Sequence, residues 1–100
     1  MAVKIIFSDE AAEMLMSIAG LIESKWSKKE AKKFLEKVHK ILGLVSIQPY
    51  MFKASHFGEN IRVGLITKQT SFYYEVDENE IIILFFWDNR QEPMFFDDTN

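Results

Sequence analysis

The stretch IIILFFWDNRQEP, Ile81 to Pro93, decides the fold because it joins two segments of opposite character. Seven consecutive apolar residues end at Trp87, and the polar cluster Asp88–Gln91 follows them. An apolar run of this length is typical of a strand that is covered on both faces, so we expect it to be central in a sheet. Burial of the strand does not require the polar cluster. The cluster is either the point where the strand ends in solvent or a functional site at the rim of the sheet.

Two segments before this run alternate apolar and polar residues, as strands with one covered face do. They are IRVGLI, 61–66, and SFYYEV, 71–76, and the polar turns TKQT and DENE follow them. Because both turns are short, the three strands are predicted to pair in chain order as an antiparallel meander. The segment MFKASHFGEN, 51–60, contains Gly and Asn and is predicted to be a connecting loop, with a short extended start at most.

The first half of the chain predicts one short strand and two helices. VKIIF, 3–7, is β-branched and aromatic, and Ser8 after it suits the N-cap of a helix that ends near Lys25. SKKE, 27–30, has the spacing of a capping box and begins a second helix, which Pro49 ends. The predicted order is β-α-α-β-β-β, an α+β fold in which the N-terminal strand and the helical hairpin pack on a mainly antiparallel C-terminal sheet.

Composition limits the chain to one domain. The 100 residues are 48% apolar, enough for one core, so residues 1–100 are expected to form a single domain. The chain has no cysteine, and neither His39 nor His56 has a second ligand at zinc spacing, so we predict no disulfide, metal site or cofactor. No apolar run approaches the roughly 18 residues of a membrane-spanning helix, so we expect a soluble cytoplasmic protein that does not contact a membrane.

Charge is distributed unevenly along the chain. Residues 1–49 hold eight lysines and six acids, a balance of +2, whereas residues 50–100 hold four basic and nine acidic residues, a balance of −5. The lysines of the second helix lie away from its apolar stripe and form either a solvated face or an electrostatic surface for an acidic partner. Proteins that bind a phosphate backbone usually present a basic face, and the C-terminal half does not predict one.

Arg90 is the strongest single candidate for a functional residue. It directly follows a buried strand, and its planar, permanently charged guanidinium suits bidentate contact with a carboxylate or a phosphate. The alternative is a structural arginine that is satisfied locally by Asp88 or Glu92. The positions predicted to form a binding cluster around it are Trp87, Asp88, Asn89, Gln91 and Lys68.

Three further residues are candidates for catalysis. Arg62 and Tyr73 are predicted to share one face of the sheet with Glu75, where the Tyr73 hydroxyl could contact a phosphate or a base. The alternatives are packing for the tyrosine and an ordinary cross-strand ion pair between Arg62 and Glu75. His56, in the predicted loop, is a candidate general acid or base, and the alternative is a histidine without a catalytic role.

With these elements in place, the chain resembles the RelE/ParE superfamily of toxins from bacterial type II toxin-antitoxin modules, which includes plasmid stabilisation proteins. The resemblance runs from VKIIFSDEA through the helical hairpin to FGENIRVGLITKQTSFYYEVDENEIIILFFWDNRQEP. Its most specific part is the order of Arg62, the FYYEV strand, the DENE turn and a last strand that ends in an arginine and a proline. The resemblance implies a compact toxin fold and a cognate antitoxin whose C-terminal segment wraps over the domain.

Two activities divide this superfamily. RelE-like members cut mRNA in the ribosomal A site with clustered Arg and Lys, sometimes helped by Tyr, His or Glu, whereas ParE-like members poison DNA gyrase without a catalytic cluster. Arg90 matches the arginine of the last strand, and Arg62 occupies a position where nucleases often carry a basic residue. The chain departs from the nuclease pattern at Thr70–Phe72, where an arginine is common, and at Phe95 and Phe96, where a Tyr or His is often found.

The resemblance therefore implies a ParE-like toxin that inhibits replication through DNA gyrase and is neutralised by an antitoxin. The alternatives are a metal-independent, RelE-like endoribonuclease that acts on ribosome-bound mRNA, or a non-toxic antitoxin-binding module of the same fold. In the nuclease, Arg90 would hold the phosphate and Arg62 would assist it. Tyr73 or His56 would then transfer protons.

Overall fold

The helices and strands follow the order expected from the sequence, with one additional strand. The computed structural model describes residues 2–90, and within this range the chain forms two helices and a five-stranded sheet. The elements are β1 (Lys4–Phe7), α1 (Asp9–Lys25), α2 (Lys28–Ile47), β2 (Lys53–Ser55), β3 (Gly58–Thr67), β4 (Thr70–Val76) and β5 (Glu80–Asp88). The sheet order is β1-β5-β4-β3-β2, with β1 parallel to β5 and the other pairs antiparallel. The predicted α+β fold is confirmed, and β5 lies inside the sheet.

The additional strand, β2, lies in the segment that was predicted to be a loop. Lys53 pairs with Val63 and Ala54 with Arg62, and the register then shifts before Ser55. Gly58, which begins β3, has φ 140°, a conformation that residues with a side chain rarely adopt, and it allows the tight return between the two strands. The glycine that indicated a loop therefore makes a hairpin turn, and β2 becomes a short edge strand.

Serine side chains begin both helices. Ser8 Oγ accepts a hydrogen bond from the Ala11 N–H at 2.9 Å and donates one to the Leu84 carbonyl oxygen at 2.8 Å. Ser27 Oγ accepts a hydrogen bond from the Glu30 N–H at 3.1 Å, as the capping-box spacing predicts. An N-cap of this kind stabilises a helix by about 1 kcal/mol. The second bond of Ser8 also joins the start of α1 to β5 and so helps to fix the hairpin over the sheet.

Both helices pack on one face of the sheet, which is called the covered face below. Its fully or nearly fully buried side chains are Ile66, Phe72, Tyr74, Ile81, Ile83 and Phe86 from the strands, and Ala11, Phe34, Val38, Leu42 and Val45 from the helices. Complete burial of one large apolar side chain contributes about 1.5–3 kcal/mol, so this single layer supplies most of the driving force for folding.

The segment that follows α2 covers the part of this face near β3. The Phe52 ring lies edge-on to Phe72, with centroids 5.7 Å apart. A Cβ atom at position 64 would lie 2.7 Å from the same Phe52 ring, so only glycine allows this approach. The Tyr74 hydroxyl donates a hydrogen bond of 2.7 Å to the Pro49 carbonyl oxygen and ties the segment down.

The register of β3 corrects the expected grouping of side chains. Arg62 lies opposite Tyr74, on the covered face, whereas Tyr73 lies on the other face, which is called the open face. Glu75 lies opposite Ile61, again on the open face, so Arg62 shares a face with neither Tyr73 nor Glu75 and cannot form the cross-strand pair. The alternation of apolar and polar residues correctly predicted that β3 has two different faces. Because the segment that contains Phe52 covers the face of Arg62, that face of β3 is the inward one, the opposite of what the alternation indicates.

Candidate functional site

Asn89 fixes the exit of β5 against the turn between β3 and β4. Its backbone N–H donates to the Gln69 carbonyl oxygen at 2.7 Å, and its Nδ2 donates to the Lys68 carbonyl oxygen at 3.3 Å. Its Oδ1 accepts a hydrogen bond of 2.8 Å from the Ser71 hydroxyl. Asn89, predicted as a binding residue, therefore forms three hydrogen bonds that hold the rim of the sheet. Lys68, another predicted binding residue, contributes its carbonyl oxygen to one of them, and its side chain is exposed.

Arg90 and Asp88 form a bidentate ion pair at this rim. Arg90 Nε lies 3.0 Å from Asp88 Oδ1, and Nη2 lies 2.9 Å from Oδ2. The Arg90 backbone N–H also donates to Oδ1, at 2.9 Å. The hydrogen bonds from Arg90 lower the pKa of the Asp88 carboxyl, and the same pair raises the pKa of Arg90. Asp88 is one of the two local partners considered for this arginine, and the other, Glu92, lies outside the described residues. In this pair 55% of the Arg90 side chain remains exposed.

A groove of about 610 Å³, here called the rim groove, lies between the helical hairpin and this end of the sheet. Its apolar residues are Ile18, Leu21, Ile22, Trp26 and Phe34, and its other lining residues are Lys25, Glu30, Lys33, Lys37, Thr67, Gln69, Thr70, Asp88 and Arg90. Trp26 is 75% exposed and Leu21 is 52% exposed, so the floor presents large apolar side chains to solvent. The groove was not predicted, although a tryptophan at the junction of two helices is a signal for such a surface.

Arg62 is held by the backbone of its own surroundings. Its Nε donates to the Glu59 carbonyl oxygen and its Nη1 to the Phe52 carbonyl oxygen, each at 3.0 Å. The guanidinium lies 4.7 Å from the centre of the Tyr50 ring, and 16% of the side chain is exposed. These contacts join the segment after α2 to β3, so the arrangement gives Arg62 a structural task that sequence reasoning did not foresee.

Tyr73 belongs to an aromatic cluster on the open face. Its ring is stacked on Phe85 with centroids 4.6 Å apart, and Phe57 lies edge-on to both rings at 5.8 and 6.3 Å. Trp87, another predicted binding residue, lies half-buried on the same face, opposite Ser71 in the register. Leu65 on this face is 52% exposed. The open face is thus mainly aromatic and aliphatic near its centre.

His56 and Tyr73 line a common pocket beside β2. The pocket measures about 790 Å³, and Lys53, Ser55 and Ser71 also contribute to it. A histidine, a tyrosine and a lysine around one pocket are groups that could move a proton or contact an anion. Neither Arg62 nor Arg90 lines it.

The predicted catalytic residues therefore occupy three separate places. Arg62 lies on the covered face beneath Tyr50, Tyr73 and His56 line the pocket on the open side, and Arg90 borders the rim groove. Gln91, the last member of the predicted binding cluster, lies outside the described residues, as do Phe95 and Phe96.

Two further findings concern cofactors and membranes. Across residues 2–90, no group of three or more histidine, aspartate or glutamate side chains is arranged to hold a metal ion. Neither of the two helices in this range is both long and apolar enough to cross a bilayer.

Comparison with known proteins identifies the family. Residues 5–93 match the family model described as ParE toxin of type II toxin-antitoxin system, parDE. A search of curated protein sequences found no match. Among solved structures, the chain is similar to one titled "Chromosomal ParDE TA system from P. aeruginosa", with a TM-score of 0.73, 15% identity, and coverage of 87% of this chain and 96% of the other.

A second similar structure is titled "The structure of YoeB dimer from Staphylococcus aureus". Its TM-score is 0.61 at 19% identity, and the match covers 85% of this chain and 94% of the other. At such identities the two structures support the fold, whereas the family model spans most of the chain. The chain belongs to the ParE toxin family of type II toxin-antitoxin systems, within the RelE/ParE superfamily.

Proposed function

We propose that the protein is a ParE-like cytoplasmic toxin that inhibits DNA gyrase and is neutralised by a cognate antitoxin. The observation that carries this proposal is the separation of the basic residues that a nuclease would need. A ribonuclease must aim several cationic donors at one scissile phosphate. Here Arg62 donates to two backbone carbonyls on the covered face, and Arg90 donates to Asp88 at the rim.

The start of β4 supports the same proposal. Nucleases of the superfamily commonly carry an arginine at the position of Thr70–Phe72, and in this chain those three residues are buried. Phe72 is fully buried and packs against Phe52 and Phe86 in the core. The position of Phe72 therefore serves packing, which supports the proposal over phosphate binding at this residue. The charge balance of −5 in residues 50–100 also opposes the binding of RNA, which depends largely on Lys and Arg.

Inducible expression in a bacterial host tests the proposal. We expect wild-type protein to arrest growth, to copurify with gyrase rather than with ribosomes, and to leave mRNA intact in primer-extension assays. Arg90→Ala should retain the fold and weaken the arrest if this exposed guanidinium contacts the target. Lys40→Ala, an exposed position of α2 outside the rim groove, is the matched control and should arrest growth like wild type. Normal growth on induction of wild-type protein would instead favour a non-toxic antitoxin-binding module.

The RelE-like alternative rests on the pocket beside β2. His56, Tyr73 and Lys53 line it together, which offers proton-transfer groups and a cation without either arginine. If this pocket cuts mRNA, wild-type protein will produce discrete cleavage products in translated messages. His56→Gln and Tyr73→Phe would then abolish those products while circular dichroism reports an unchanged fold.

A further inference from the structure

We propose that the open face of the sheet is the interface of a homodimer, in which a second copy of the chain packs its own open face against it. The dimer has four layers, with the two helical hairpins outside and the two sheets in the middle. The inference goes beyond the proposed function, since it concerns the contact between two toxin chains and holds for any cellular target.

Aromatic and aliphatic side chains form the centre of the open face. The register places Val63, Tyr73 and Phe85 side by side on β3, β4 and β5. Leu65 on β3 and Trp87 on β5 belong to the next row. None of these five side chains is fully buried, and Leu65 is 52% exposed. Protein interfaces are enriched in Tyr, Trp and Phe at their centres, so this part of the sheet has the composition of an interface.

The composition of β5 indicates that a further layer covers this face. The apolar run Ile81–Trp87 supplies apolar side chains to both faces of the sheet, and such runs are typical of strands that are covered on both sides. The two helices pack on the covered face, and the open face receives Phe57, from the turn between β2 and β3, beside Tyr73 and Phe85. Within residues 2–90, no helix packs on the open side of β5.

The open face is large enough for a stable dimer. Five strands about 4.8 Å apart make it about 24 Å wide, and its inner strands of 7 to 10 residues are about 23–33 Å long. The outline of the face therefore measures about 500–700 Å², and the side chains that project from it add accessible surface. Each partner of a standard interface buries roughly 800 Å². Two such faces can pack about 10 Å apart with their strands within about 30° of each other.

The charges of the open face favour a second copy over another partner. The charged side chains that the register places there are Lys4, Lys53, Glu75 and Glu80, two of each sign. They lie on edge strands or near strand ends and leave an uncharged centre. A symmetric interface brings one patch against itself, which an excess of one sign would oppose. The rim groove, with four cationic and two acidic residues among those described, suits an acidic partner instead.

Measurement of the mass of the full-length protein by light scattering tests the dimer. We expect twice the mass of one chain at about 100 µM, since interfaces of this size bind with micromolar or lower dissociation constants. Leu65→Lys places a charge at the apolar centre and should raise the dissociation constant by about tenfold or more. Leu44→Lys is the matched control, because Leu44 is 48% exposed on α2, and it should dimerise like wild type.

Circular dichroism should report the same fold for wild type and both leucine variants. A wild-type protein that is monomeric at this concentration would overturn the proposal. Equal dissociation constants of wild type and Leu65→Lys would do the same, because the interface would then lie elsewhere.

The two tryptophans of the chain locate the interface. Trp26→Phe leaves Trp87 on the open face as the only indole, whereas Trp87→Phe leaves Trp26 in the rim groove. Quenching of Trp87 fluorescence by acrylamide should fall as the protein concentration rises through the dissociation constant, and quenching of Trp26 should stay constant. Adding Leu65→Lys to the Trp26→Phe variant should shift the fall to higher concentration. Shielding of Trp26 alone would assign the contact to the helical hairpin and contradict the proposal.

Discussion

The two arginines of the chain occupy regions of opposite character. Arg62 lies beneath Tyr50, is 16% exposed, and donates hydrogen bonds to two backbone carbonyls. Because backbone carbonyls do not titrate, no change of pH removes these acceptors. Arg90 is 55% exposed and donates to a carboxylate at the mouth of the rim groove. The first arginine joins a segment to the sheet, whereas the second presents charge at a surface.

The partner of an arginine, more than its place on a strand, separates structural from functional roles. Backbone carbonyl oxygens accept hydrogen bonds from the Arg62 guanidinium in fixed directions. Replacing Arg62 would leave the Phe52 carbonyl without this donor. An exposed ion pair such as that of Arg90 contributes little to stability and remains accessible to a competing anion. We therefore expect substitutions around Arg62 to change the free energy of unfolding, and substitutions at Arg90 to change binding.

The largest effect is expected at the glycine beside Arg62. Gly64→Ala places a Cβ atom 2.7 Å from the Phe52 ring, which must move away from Phe72 and loosen the covering segment. Overpacking of this kind costs about 1–3 kcal/mol, and we expect about 2 kcal/mol in urea unfolding. Gly43→Ala is the matched control, because a Cβ there meets no atom within 4 Å and the residue lies inside α2. Equal stability of the Gly64 variant and wild type would show that Phe52 does not hold this region.

Replacement of each arginine by methionine tests the comparison itself. Arg62→Met keeps much of the apolar stem but removes two hydrogen bonds to backbone oxygens, at an expected cost of about 1.5 kcal/mol. Arg90→Met should lower the urea midpoint much less than Arg62→Met does, because an exposed ion pair contributes little to stability. If both variants lose the same stability, the distinction between the two regions is wrong.

The hydroxyl of Tyr74 gives a smaller and pH-dependent effect in the Arg62 region. Tyr74→Phe removes the bond to the Pro49 carbonyl and should cost about 1 kcal/mol at pH 7. Burial raises the pKa of Tyr74, so the folded state holds the phenolic proton more tightly than the unfolded state. The contribution of the protonated Tyr74 hydroxyl to the free energy of unfolding is fully present below about pH 10. It is lost as the pH rises through the folded-state pKa. The free energies of unfolding of wild type and Tyr74→Phe should therefore converge as the pH rises from 8 to 12. Parallel curves would contradict the assignment of this stabilisation to the Tyr74 hydroxyl.

The smallest effect on stability is expected at the rim. Arg90 lowers the pKa of Asp88, so the ion pair stabilises the fold above the unfolded-state pKa of about 4 and is lost as the pH falls through the lower folded-state value. The Arg90 Nε–H signal in NMR should shift within that acidic range in wild type. In the variant Asp88→Asn, the Arg90 Nε–H signal should not change over the same acidic pH range. A wild-type signal that stays constant down to pH 2 would mean that the pair does not form in solution.

Sequence patterns predicted the parts of the fold that depend on local chemistry. The seven-residue apolar run predicted the interior strand β5, and the serines at 8 and 27 predicted both helix starts. Polar residues directly after a buried strand also pointed to the rim, where Asp88, Asn89 and Arg90 form specific bonds. The strand and the two helix starts were predictable because each depends on residues close together in the chain.

Long-range contacts account for what the sequence did not predict. Alternation in β3 defines two faces but not which of them is inward, and that choice depends on Phe52 packing on Gly64. The sequence predicts a loop where β2 lies, because a glycine occurs in a hairpin turn and in a loop equally well. The rim groove needs Trp26 and Arg90 on one surface although they are 64 positions apart in the sequence. Single-sequence patterns carry no information on such a pairing.

Gyrase activity in a purified system tests the central claim most directly. Relaxed plasmid, DNA gyrase and ATP are incubated with increasing amounts of the full-length protein, and supercoiled and cleaved DNA are measured on gels. We predict that supercoiling falls at toxin concentrations comparable to that of the enzyme and that Arg62→Met, once folded, inhibits as wild type does. Full supercoiling at a large excess of toxin, together with cleaved mRNA in a purified translation system, would contradict this account.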